Sequence, residues 1–431
     1  MIRHRTIFTA AAAAGLLWGM YPPTAAQVPG SAFWPQWRGP HATGVSTSAT
    51  PPVEWSETKN IRWKIELPGR GSSTPVVWGD RVYVSTAVPV EGTGQRARHK
   101  FVVMALNRKD GSIAWQHAAR EEAPHEGTHQ EFGTMASSSA ITDGEHVIAS
   151  FESRGIFAVD MNGKLAWQKD LGDKRMRNEF GEGSSPALYK DRLIVVWDYQ
   201  GDSFIVALNK ATGEEIWRTA REEIDSWATP LVVEHAGRAQ AITSGMNKVR
   251  SYDVETGALI WETAGLTMNP IPSPVTDGKG LVVLMSGFRG NSLKAISLDG
   301  AKGDITETPN VVWTADRDTP YVPSPLLYEG TLYFLKSNNG LLSAFDARTG
   351  KPHYQAQRIE ALPTVFASPV AASGRVYILG QQGTAVVLKH GPAVEILATN
   401  TLDDRFDASP ALAEGEMYLR GYKRLYCVAE K

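Results

Sequence analysis

Residues 184–217, SSPALYKDRLIVVWDYQGDSFIVALNKATGEEIW, contain one complete copy of a unit that recurs along this 431-residue chain. Four short apolar runs begin at Pro186, Leu193, Phe204 and Glu215, and polar turn residues separate them. Runs of this length, rich in β-branched and aromatic residues and joined by tight turns, are typical of an up-and-down antiparallel sheet. The unit therefore predicts four β-strands.

Each copy of the unit opens on the same phrase: a small residue, usually Ser or Thr, then Pro, then an apolar residue. In the second copy Ala replaces the Pro. The eight phrases are Ser73-Thr74-Pro75, Ser138-Ser139-Ala140, Ser184-Ser185-Pro186, Ala228-Thr229-Pro230, Pro272-Ser273-Pro274, Pro323-Ser324-Pro325, Ala367-Ser368-Pro369 and Ala408-Ser409-Pro410. Successive phrases lie 65, 46, 44, 44, 51, 44 and 41 residues apart. A period of about 40–50 residues indicates a repeat array.

A four-stranded sheet of this kind cannot bury both of its faces alone. Sheets arranged radially pack on their neighbours and keep only short, protected edges. The repeat therefore predicts an all-β protein, an eight-bladed β-propeller of four-stranded antiparallel blades. The phrase would open the innermost strand, where eight strands converge and small residues fit. A tryptophan on the outermost strand would wedge between blades, as at Trp115, Trp167, Trp217, Trp261 and Trp313.

The two ends of the repeat array complement each other. Only 21 residues follow Pro410, enough for three strands of about 5–6 residues and no fourth. Residues 60–67, NIRWKIEL, precede the first phrase and have Trp63 in the place of a fourth-strand tryptophan. We therefore expect the N-terminal strand to complete the eighth blade, so that residues 60–431 form one domain.

The N-terminal region has the pattern of a targeting segment. Residues 1–26 resemble a secretory signal peptide, with Arg3 and Arg5 ahead of an apolar stretch that ends in small residues. We expect export to the periplasm or beyond the cell, and an arm of residues 27–59 that packs on the propeller through its tryptophans. No later stretch is long and apolar enough to predict a membrane span.

Charge and cysteine content narrow the possible partners and sites. A formal net charge of −2 does not favour nucleic acid or an anionic membrane as a partner. Cys427 is the only cysteine, which excludes an intramolecular disulfide and a cysteine-based zinc site. It also leaves no cysteine behind the signal peptide for a lipid anchor.

Several phrases of the unit resemble the repeats of PQQ-like (pyrroloquinoline-quinone-type) propellers. They are Thr74-Pro75-Val76, Val82-Tyr83-Val84, Ala207-Leu208-Asn209 and Thr212-Gly213-Glu214-Glu215-Ile216-Trp217. The resemblance covers residues 60–427. The lead-in WPQWRGP at residues 34–40 looks like the start of a secreted bacterial group of these repeat proteins.

The resemblance implies the propeller fold but leaves the function open. The family includes quinoprotein dehydrogenases and the non-enzymatic outer-membrane assembly factor BamB. The dehydrogenases are longer, use PQQ with calcium, and in many cases stack the quinone under a disulfide between adjacent cysteines, which one cysteine cannot form. BamB proteins carry a lipid-attachment cysteine that the present sequence does not offer.

We expect binding on the face that carries the loops between the second and third strands and the loops between blades. These loops are longer and more varied than the other turns, and binding residues concentrate on loops held by a rigid scaffold. The candidate ligand-binding residues on this face are His129, Glu131, Arg175, Arg177, Glu179, Asp225, Trp227, Arg289, Arg317, Tyr321, Arg405 and Asp407.

Each candidate also has a simpler interpretation. His129 and Glu131, with His125, are compatible with a metal site or with solvated polar groups. The Arg and Asp side chains are compatible with binding a polar ligand over the channel or with pairing across neighbouring blades. Trp227 is placed either to stack on a planar ligand or to pack beside the first strand of its blade.

The sequence contains no nucleophile elbow, P-loop, metalloprotease helix or EF-hand loop. The first hypothesis is therefore an exported, monomeric, non-enzymatic scaffold without a cofactor. It would bind a protein segment or a polar ligand in the cell envelope. The alternatives are a shortened oxidoreductase that uses PQQ and calcium, and a polysaccharide-binding propeller.

Overall fold

The structure is a computed structural model that describes residues 32–91 and 96–430; the predicted signal peptide, residues 1–26, lies outside the described residues. The strands form eight antiparallel sheets, which we number as blades 1 to 8.

The strands of the ring are as follows. β1 (Ile61–Glu66) belongs to blade 8. Blades 1 and 2 contain β2 (Val76–Trp78), β3 (Arg81–Glu91), β4 (Arg98–Asn107), β5 (Ile113–Glu122), β6 (Ile141–Thr142), β7 (His146–Ser150), β8 (Ile156–Asp160) and β9 (Leu165–Lys169). Blades 3 and 4 contain β10 (Ala187–Tyr189), β11 (Arg192–Trp197), β12 (Phe204–Asn209), β13 (Glu215–Ala220), β14 (Leu231–His235), β15 (Arg238–Thr243), β16 (Lys248–Asp253) and β17 (Leu259–Ala264).

The second half of the ring follows the same order. Blade 5 contains β18 (Val275–Thr276), β19 (Leu281–Ser286), β20 (Ser292–Ser297) and β22 (Val311–Ala315), while β21 (Gly303–Asp304) adds to blade 4. Blades 6 to 8 contain β23 (Leu326–Tyr328), β24 (Thr331–Leu335), β25 (Leu341–Asp346), β26 (Pro352–Arg358), β27 (Val370–Ala372), β28 (Arg375–Leu379), β29 (Thr384–Lys389), β30 (Ile396–Thr401), β31 (Ala411–Ala413), β32 (Glu416–Arg420) and β33 (Arg424–Ala429). The 3₁₀ turns of the described residues are Glu152–Arg154 and Arg177–Glu179. The predicted all-β, eight-bladed propeller is confirmed.

Burial explains the sequence pattern within a blade. The second strand of blade 3, β11, is buried at five consecutive positions because neighbouring blades cover both of its faces. These five positions therefore have the continuous apolar sequence LIVVW, residues 193–197, rather than an alternating one. The outermost strand, β13, has no fully buried residue and alternates between exposed and half-buried positions.

The outer-strand tryptophans pack on a glycine turn of the next blade. Trp217 Nε1 donates to the Val254 carbonyl at 2.9 Å, and its ring lies 2.5 Å from where a Cβ of Gly257 would be. Gly257 has φ +74°, a conformation that favours glycine. The same arrangement recurs at Trp63/Gly111, Trp115/Gly163, Trp167/Gly213 and Trp313/Gly350. The predicted wedge between blades is therefore present at these five junctions.

Blade 4 departs from this pattern. Trp261 is fully buried, and its Nε1 donates to Gln240 in its own blade at 2.9 Å. The extra strand β21, part of an insertion in blade 5, pairs in parallel with β17. The longer step of 51 residues between the fifth and sixth phrases contains this insertion.

The ring closes as the sequence predicted. β1 pairs antiparallel with β33, with Trp63 opposite Cys427. Trp63 donates to the Arg108 carbonyl of blade 1 at 2.7 Å, and the Arg108 guanidinium contacts the Glu416 carboxylate of blade 8 at 2.7 Å. The N-terminal strand thus joins the last blade to the first.

The described part of the arm, residues 32–59, crosses the face opposite the inter-blade loops. We call this face the turn face and the other one the loop face. Trp34 is fully buried and pairs with Val77 of blade 1. The Ser46 amide donates to blade 7 at 2.9 Å, and the Thr50 amide donates to a turn of blade 8 at 2.6 Å. Across residues 32–91 and 96–430, no helix has the length and apolarity needed to cross a bilayer.

Candidate binding site at the loop-face end of the channel

A ring of hydroxyl groups lines the centre of the propeller. In seven of the eight phrases the backbone N–H of the middle residue donates to the hydroxyl of the middle residue in the next blade. Seven consecutive junctions are joined in this way, at 2.9–3.0 Å. We call the acceptors the hydroxyl ring: Ser139, Ser185, Thr229, Ser273, Ser324, Ser368 and Ser409. The repeated Ser or Thr of the phrase therefore links neighbouring innermost strands.

The channel inside this ring, which we call the shaft, has a volume of about 140 Å³. At its turn-face end lies Trp37 of the arm, whose Nε1 donates to Ser273 Oγ at 3.3 Å. The neighbouring Arg38 is buried and donates to the carbonyls of Pro325 and Pro369 at 2.5 and 2.6 Å. The arm therefore occupies the turn-face end of the channel.

The loop-face end widens into a cavity of about 270 Å³, which we call the mouth. Its walls include half-buried aromatic side chains from five inter-blade loops: His129, Phe132, Phe180, Trp227, Tyr321 and Phe366. The His129 and Phe132 rings stack at 4.9 Å, and Phe132 contacts Phe366 at 4.7 Å. The mouth is thus an apolar, aromatic opening above a polar shaft.

Local contacts hold the mouth residues in place. His129 Nδ1 accepts the backbone N–H groups of Glu131 and Phe132 at 3.3 and 3.4 Å. Trp227 Nε1 donates to the Gly181 carbonyl at 2.7 Å. Tyr321 stacks on a neighbouring phenylalanine at 4.8 Å, and burial raises the pKa of its hydroxyl. The aromatic surface is therefore preorganised.

Asp407 lies at the boundary between mouth and shaft. It accepts hydrogen bonds from Gln381 Nε2 at 2.7 Å and from the Tyr422 hydroxyl. The guanidinium groups of Arg70 and Arg405 lie against the Tyr422 ring, 4.6 and 4.8 Å from its centroid. Burial, followed by the nearby Asp407 carboxylate, raises the pKa of Tyr422, so this hydroxyl remains a donor.

Other predicted residues pair with each other across neighbouring blades. Arg177 Nε lies 3.1 Å from Asp225 Oδ2, and Arg96 contacts Glu179 at 2.5 Å. Hydrogen bonding to Arg96 lowers the pKa of Glu179. The remaining candidates are exposed on the loop face away from the mouth: Glu131, Arg175, Arg289 and Arg317. Glu131 and Arg175 line separate open grooves near the rim.

The two loop histidines do not converge on a common point for a metal ion. His125 Nε2 donates to the Lys174 carbonyl at 2.7 Å, whereas His129 Nδ1 faces the backbone amides described above. In the described part of the chain, the residues that do cluster like metal ligands are Asp143, Glu145 and His146. The Lys210 ammonium already contacts Asp143 there. A cation would therefore have to displace this lysine.

Buried ion pairs support the loops behind the mouth. Glu182, which lines the mouth, contacts Arg154 at 2.5 Å, and Lys174 contacts Glu152 at 2.6 Å. In blade 3, Arg221 makes two hydrogen bonds with Asp198, at 2.7 and 3.0 Å, and both side chains are fully buried. Burial alone would lower the pKa of Arg221, but the nearby Asp198 carboxylate raises it.

Sequence reasoning missed three aromatic residues of the mouth, Phe132, Phe180 and Phe366. A signal for them exists, because these three residues stand two to seven positions before a ring residue; Phe366, for example, precedes Ser368 by two. The search for charged loop residues passed over this pattern. It was therefore incomplete for a site whose surface is mainly aromatic.

Comparison with known proteins agrees with the fold and the repeat. The family model described as Outer membrane protein assembly factor BamB matches residues 45–202 and again residues 201–431. The chain belongs to this family. A curated relative, outer membrane protein assembly factor BamB from Yersinia pestis, is 24% identical over 355 residues, which are 81% of this chain and 75% of the relative.

Solved structures of proteins with different names share the fold of this chain. BamB from Moraxella catarrhalis superposes with a TM-score of 0.57 at 15% identity, covering 85% of this chain and 96% of that one. Quinohemoprotein alcohol dehydrogenase from Comamonas testosteroni gives a TM-score of 0.68 at 13% identity, covering 94% of this chain and 82% of that one. At these identities the likeness shows the propeller alone.

Proposed function

We propose that this protein is an exported, non-enzymatic propeller scaffold that binds a protein segment in the cell envelope through the mouth on its loop face. It acts as a soluble monomer in the periplasm or outside the cell. Membership of the BamB family supports a role in assembly at the outer membrane. Its predicted signal peptide supports export.

The observation that carries the proposal is the combination of an aromatic mouth and two lining carboxylates that are already engaged by protein groups. Aromatic side chains dominate binding energy in protein interfaces, and preorganised ones lose little conformational entropy on binding. Glu182 is paired with Arg154, and Asp407 is hydrogen-bonded to Gln381 and Tyr422. Both carboxylates are therefore engaged within the protein, while the aromatic surface is half-exposed.

A photo-cross-linking residue in place of Phe366 tests the proposal directly. We expect this protein, produced in cells, to form adducts with one or a few envelope proteins. The matched control carries the same residue in place of Ile216, which is 39% exposed on the outer strand β13. Adducts from both positions alike, or from neither, would contradict binding at the mouth.

A pair of charge substitutions gives an independent measurement. Phe366→Glu places a carboxylate in the mouth. This variant should no longer pull down the partner that cross-linking identifies, because burying an unpaired charge in an interface is costly. Ile216→Glu makes the same change on the outer strand and should leave capture unaltered. Equal capture by both variants would count against the mouth.

An oxidoreductase is the second candidate, since quinoprotein dehydrogenases share the fold. Trp227 offers a stacking surface for a planar quinone. The acidic groups do not fit a calcium-held quinone, because Glu182 and Asp407 are already engaged and no further carboxylate lines the mouth within the described residues. Calcium binding depends on several converging oxygen ligands.

Titration with PQQ and calcium separates the two candidates. A scaffold predicts no quenching of tryptophan fluorescence beyond the optical inner-filter effect. Saturable, calcium-dependent quenching together with reduction of an artificial electron acceptor would favour the dehydrogenase. Saturable quenching by oligosaccharides instead would favour the polysaccharide-binding alternative.

A further inference from the structure

The hydroxyl ring presents donors that the protein does not use. Each of its seven oxygens accepts a backbone N–H, and Ser273 accepts a second bond from Trp37. A hydroxyl also has one proton to donate. Within residues 32–91 and 96–430, no ring hydroxyl donates to a protein acceptor or to another ring member. All seven line the shaft, and each of these residues is at least 93% buried.

Two further hydroxyls at the blade 8–blade 1 junction have no partner at all among the described residues. Ser72 Oγ is buried and lines both shaft and mouth. Thr74 Oγ1 occupies the eighth position of the ring, where the sequence of blade-to-blade bonds is interrupted. A buried donor without a hydrogen-bond partner destabilises the folded state. Ser72 and the seven ring hydroxyls together place unused O–H donors around one channel, where an acceptor group would find partners.

Two buried arginines donate to groups next to residues that line the shaft: Arg38 to the carbonyls of Pro325 and Pro369, and Arg420 to the Ser73 hydroxyl. Arg38 donates to three carbonyl oxygens, and Arg420 donates to the Ser85 carbonyl at 2.6 Å and to the Ser73 hydroxyl. Neither guanidinium contacts a carboxylate of the described chain. Burial lowers the pKa of both arginines to about 9. A nearby anion would compensate these two guanidinium charges, which have no carboxylate partner among the described residues.

Among the described residues, the two carboxylates that line the channel, Asp407 and Glu182, each have a donor partner in the protein. Asp407 is the acidic residue that lines the shaft, and it accepts a hydrogen bond from the Tyr422 hydroxyl. The guanidinium groups of Arg70 and Arg405 both lie against the Tyr422 ring. Arg405 Nε and Nη2 are buried without a hydrogen-bond partner among the described residues, although the guanidinium lies against the Tyr422 ring. The other carboxylate, Glu182, lies in the mouth and is paired with Arg154.

We propose that the shaft binds a carboxylate group whose apolar body lies in the aromatic mouth. A carboxylate has only acceptor sites, about four on two oxygens, and therefore matches a ring of O–H donors. A free organic acid and the C-terminal carboxylate of a peptide both present this group. The inference rests on the proposed function only in using the same mouth, and it names the chemistry that the floor of the mouth recognises.

Titration of the full chain with 3-phenylpropionate and its neutral amide tests the proposal, with tryptophan fluorescence as the readout because Trp37 and Trp227 line the shaft. A short glycine–alanine peptide with a free or an amidated C-terminus provides the second arm. In at least one arm we expect saturable binding of the acid, with the amide about tenfold weaker, since hydrogen bonds to charged groups are the stronger ones. The ligand that binds shows whether the carboxylate group comes from a free organic acid or from the C-terminus of a peptide. Equal binding of acid and amide, or no binding in either arm, would overturn the proposal.

Ser72→Ala tests the site without disturbing the fold, because this hydroxyl holds no protein contact. We expect about tenfold weaker binding of the acid at an unchanged unfolding midpoint. Ser138→Ala is the matched control, since its hydroxyl is also buried and unpartnered in the described chain but lines neither shaft nor mouth. Unchanged affinity in Ser72→Ala would contradict the site. Protein capture through Phe366 is a separate readout, so either proposal can fail alone.

Discussion

At the scale of single residues, the buried pair Asp198–Arg221 illustrates how the loop face is held. Both side chains are fully buried, and Arg221 also donates to Thr243 and Tyr252. Asp198→Asn leaves the arginine cation uncompensated in the interior. We therefore predict a loss of about 3–5 kcal/mol in the free energy of unfolding, measured by guanidinium titration.

An exposed pair provides the control for that measurement. Glu215 contacts Arg218 at 2.7 Å, and both side chains are more than one-third exposed. Glu215→Gln should cost less than about 1 kcal/mol because solvent screens the interaction. Similar losses in Asp198→Asn and Glu215→Gln would show that burial does not govern these pairs.

Glu152 predicts a pH dependence of stability. Burial raises its pKa to about 7, followed by the effect of the Glu182 carboxylate, while Lys174 acts in the opposite direction. Between about pH 4.5, the ordinary value for a glutamate, and pH 7, the native state binds the proton more tightly than the unfolded chain does. The stabilisation is therefore complete below pH 4.5 and is lost as the pH rises through 7.

The variant Glu152→Gln isolates this contribution. We expect the difference in unfolding midpoint between wild type and variant to favour the wild type most at the acidic end of this window. A difference that is constant with pH would mean that Glu152 has an ordinary pKa in the folded protein. Thermal unfolding monitored by circular dichroism at several pH values gives the measurement.

At the scale of elements, the tryptophan–glycine contact between blades makes a quantitative prediction. Gly257→Ala places a methyl group against the Trp217 ring and strains a backbone with φ +74°. Gly237→Ala is the matched control, because Gly237 has φ +75° but no atom near the added methyl group. We predict a loss larger by about 1–3 kcal/mol for Gly257→Ala, measured by chemical unfolding. Equal losses would mean that strain alone matters at this turn.

Most of each blade could be predicted from the sequence because its signals are local. The run Leu193–Trp197 extends by one residue in the structure to β11, Arg192–Trp197, and the closing strand 60–67 is β1, Ile61–Glu66. Apolar runs and turn glycines act within a few residues and therefore leave a readable pattern. The extra pairing of β21 with blade 4 depends on a contact some 40 residues away, which no local pattern reports.

The candidate site was less predictable for the same reason. His129, Trp227, Tyr321 and Asp407 reach the mouth, whereas Arg177 is held by Asp225 in the next inter-blade loop. Loop residue type alone does not say which side chains neutralise each other across a junction. The aromatic mouth and the shaft exist only once eight loops meet around one axis.

At the scale of the whole molecule, stability depends on a ring that is closed without a covalent bond. Seven blades are continuous in the chain, but blade 8 is completed by β1 from the other end of the propeller. The contacts there are Trp63 with Arg108, and Arg108 with Glu416. The arm adds to the same region, since Trp34 and Trp55 belong to the hydrophobic core that joins blades 1, 7 and 8. Local opening should therefore begin at this junction.

Hydrogen exchange of two tryptophan variants tests whether the closure is the weakest junction. Trp63→Ala and Trp313→Ala each remove a half-buried or buried outer-strand ring that donates to the next blade, at 2.7 and 2.9 Å. Both should lose about 3–5 kcal/mol. Only Trp63→Ala should accelerate exchange in both β33 and β2, because the covalent chain still joins blades 5 and 6 around Trp313. Exchange confined to β1 would show that the arm and the contact between Arg108 and Glu416 keep the ring closed without Trp63.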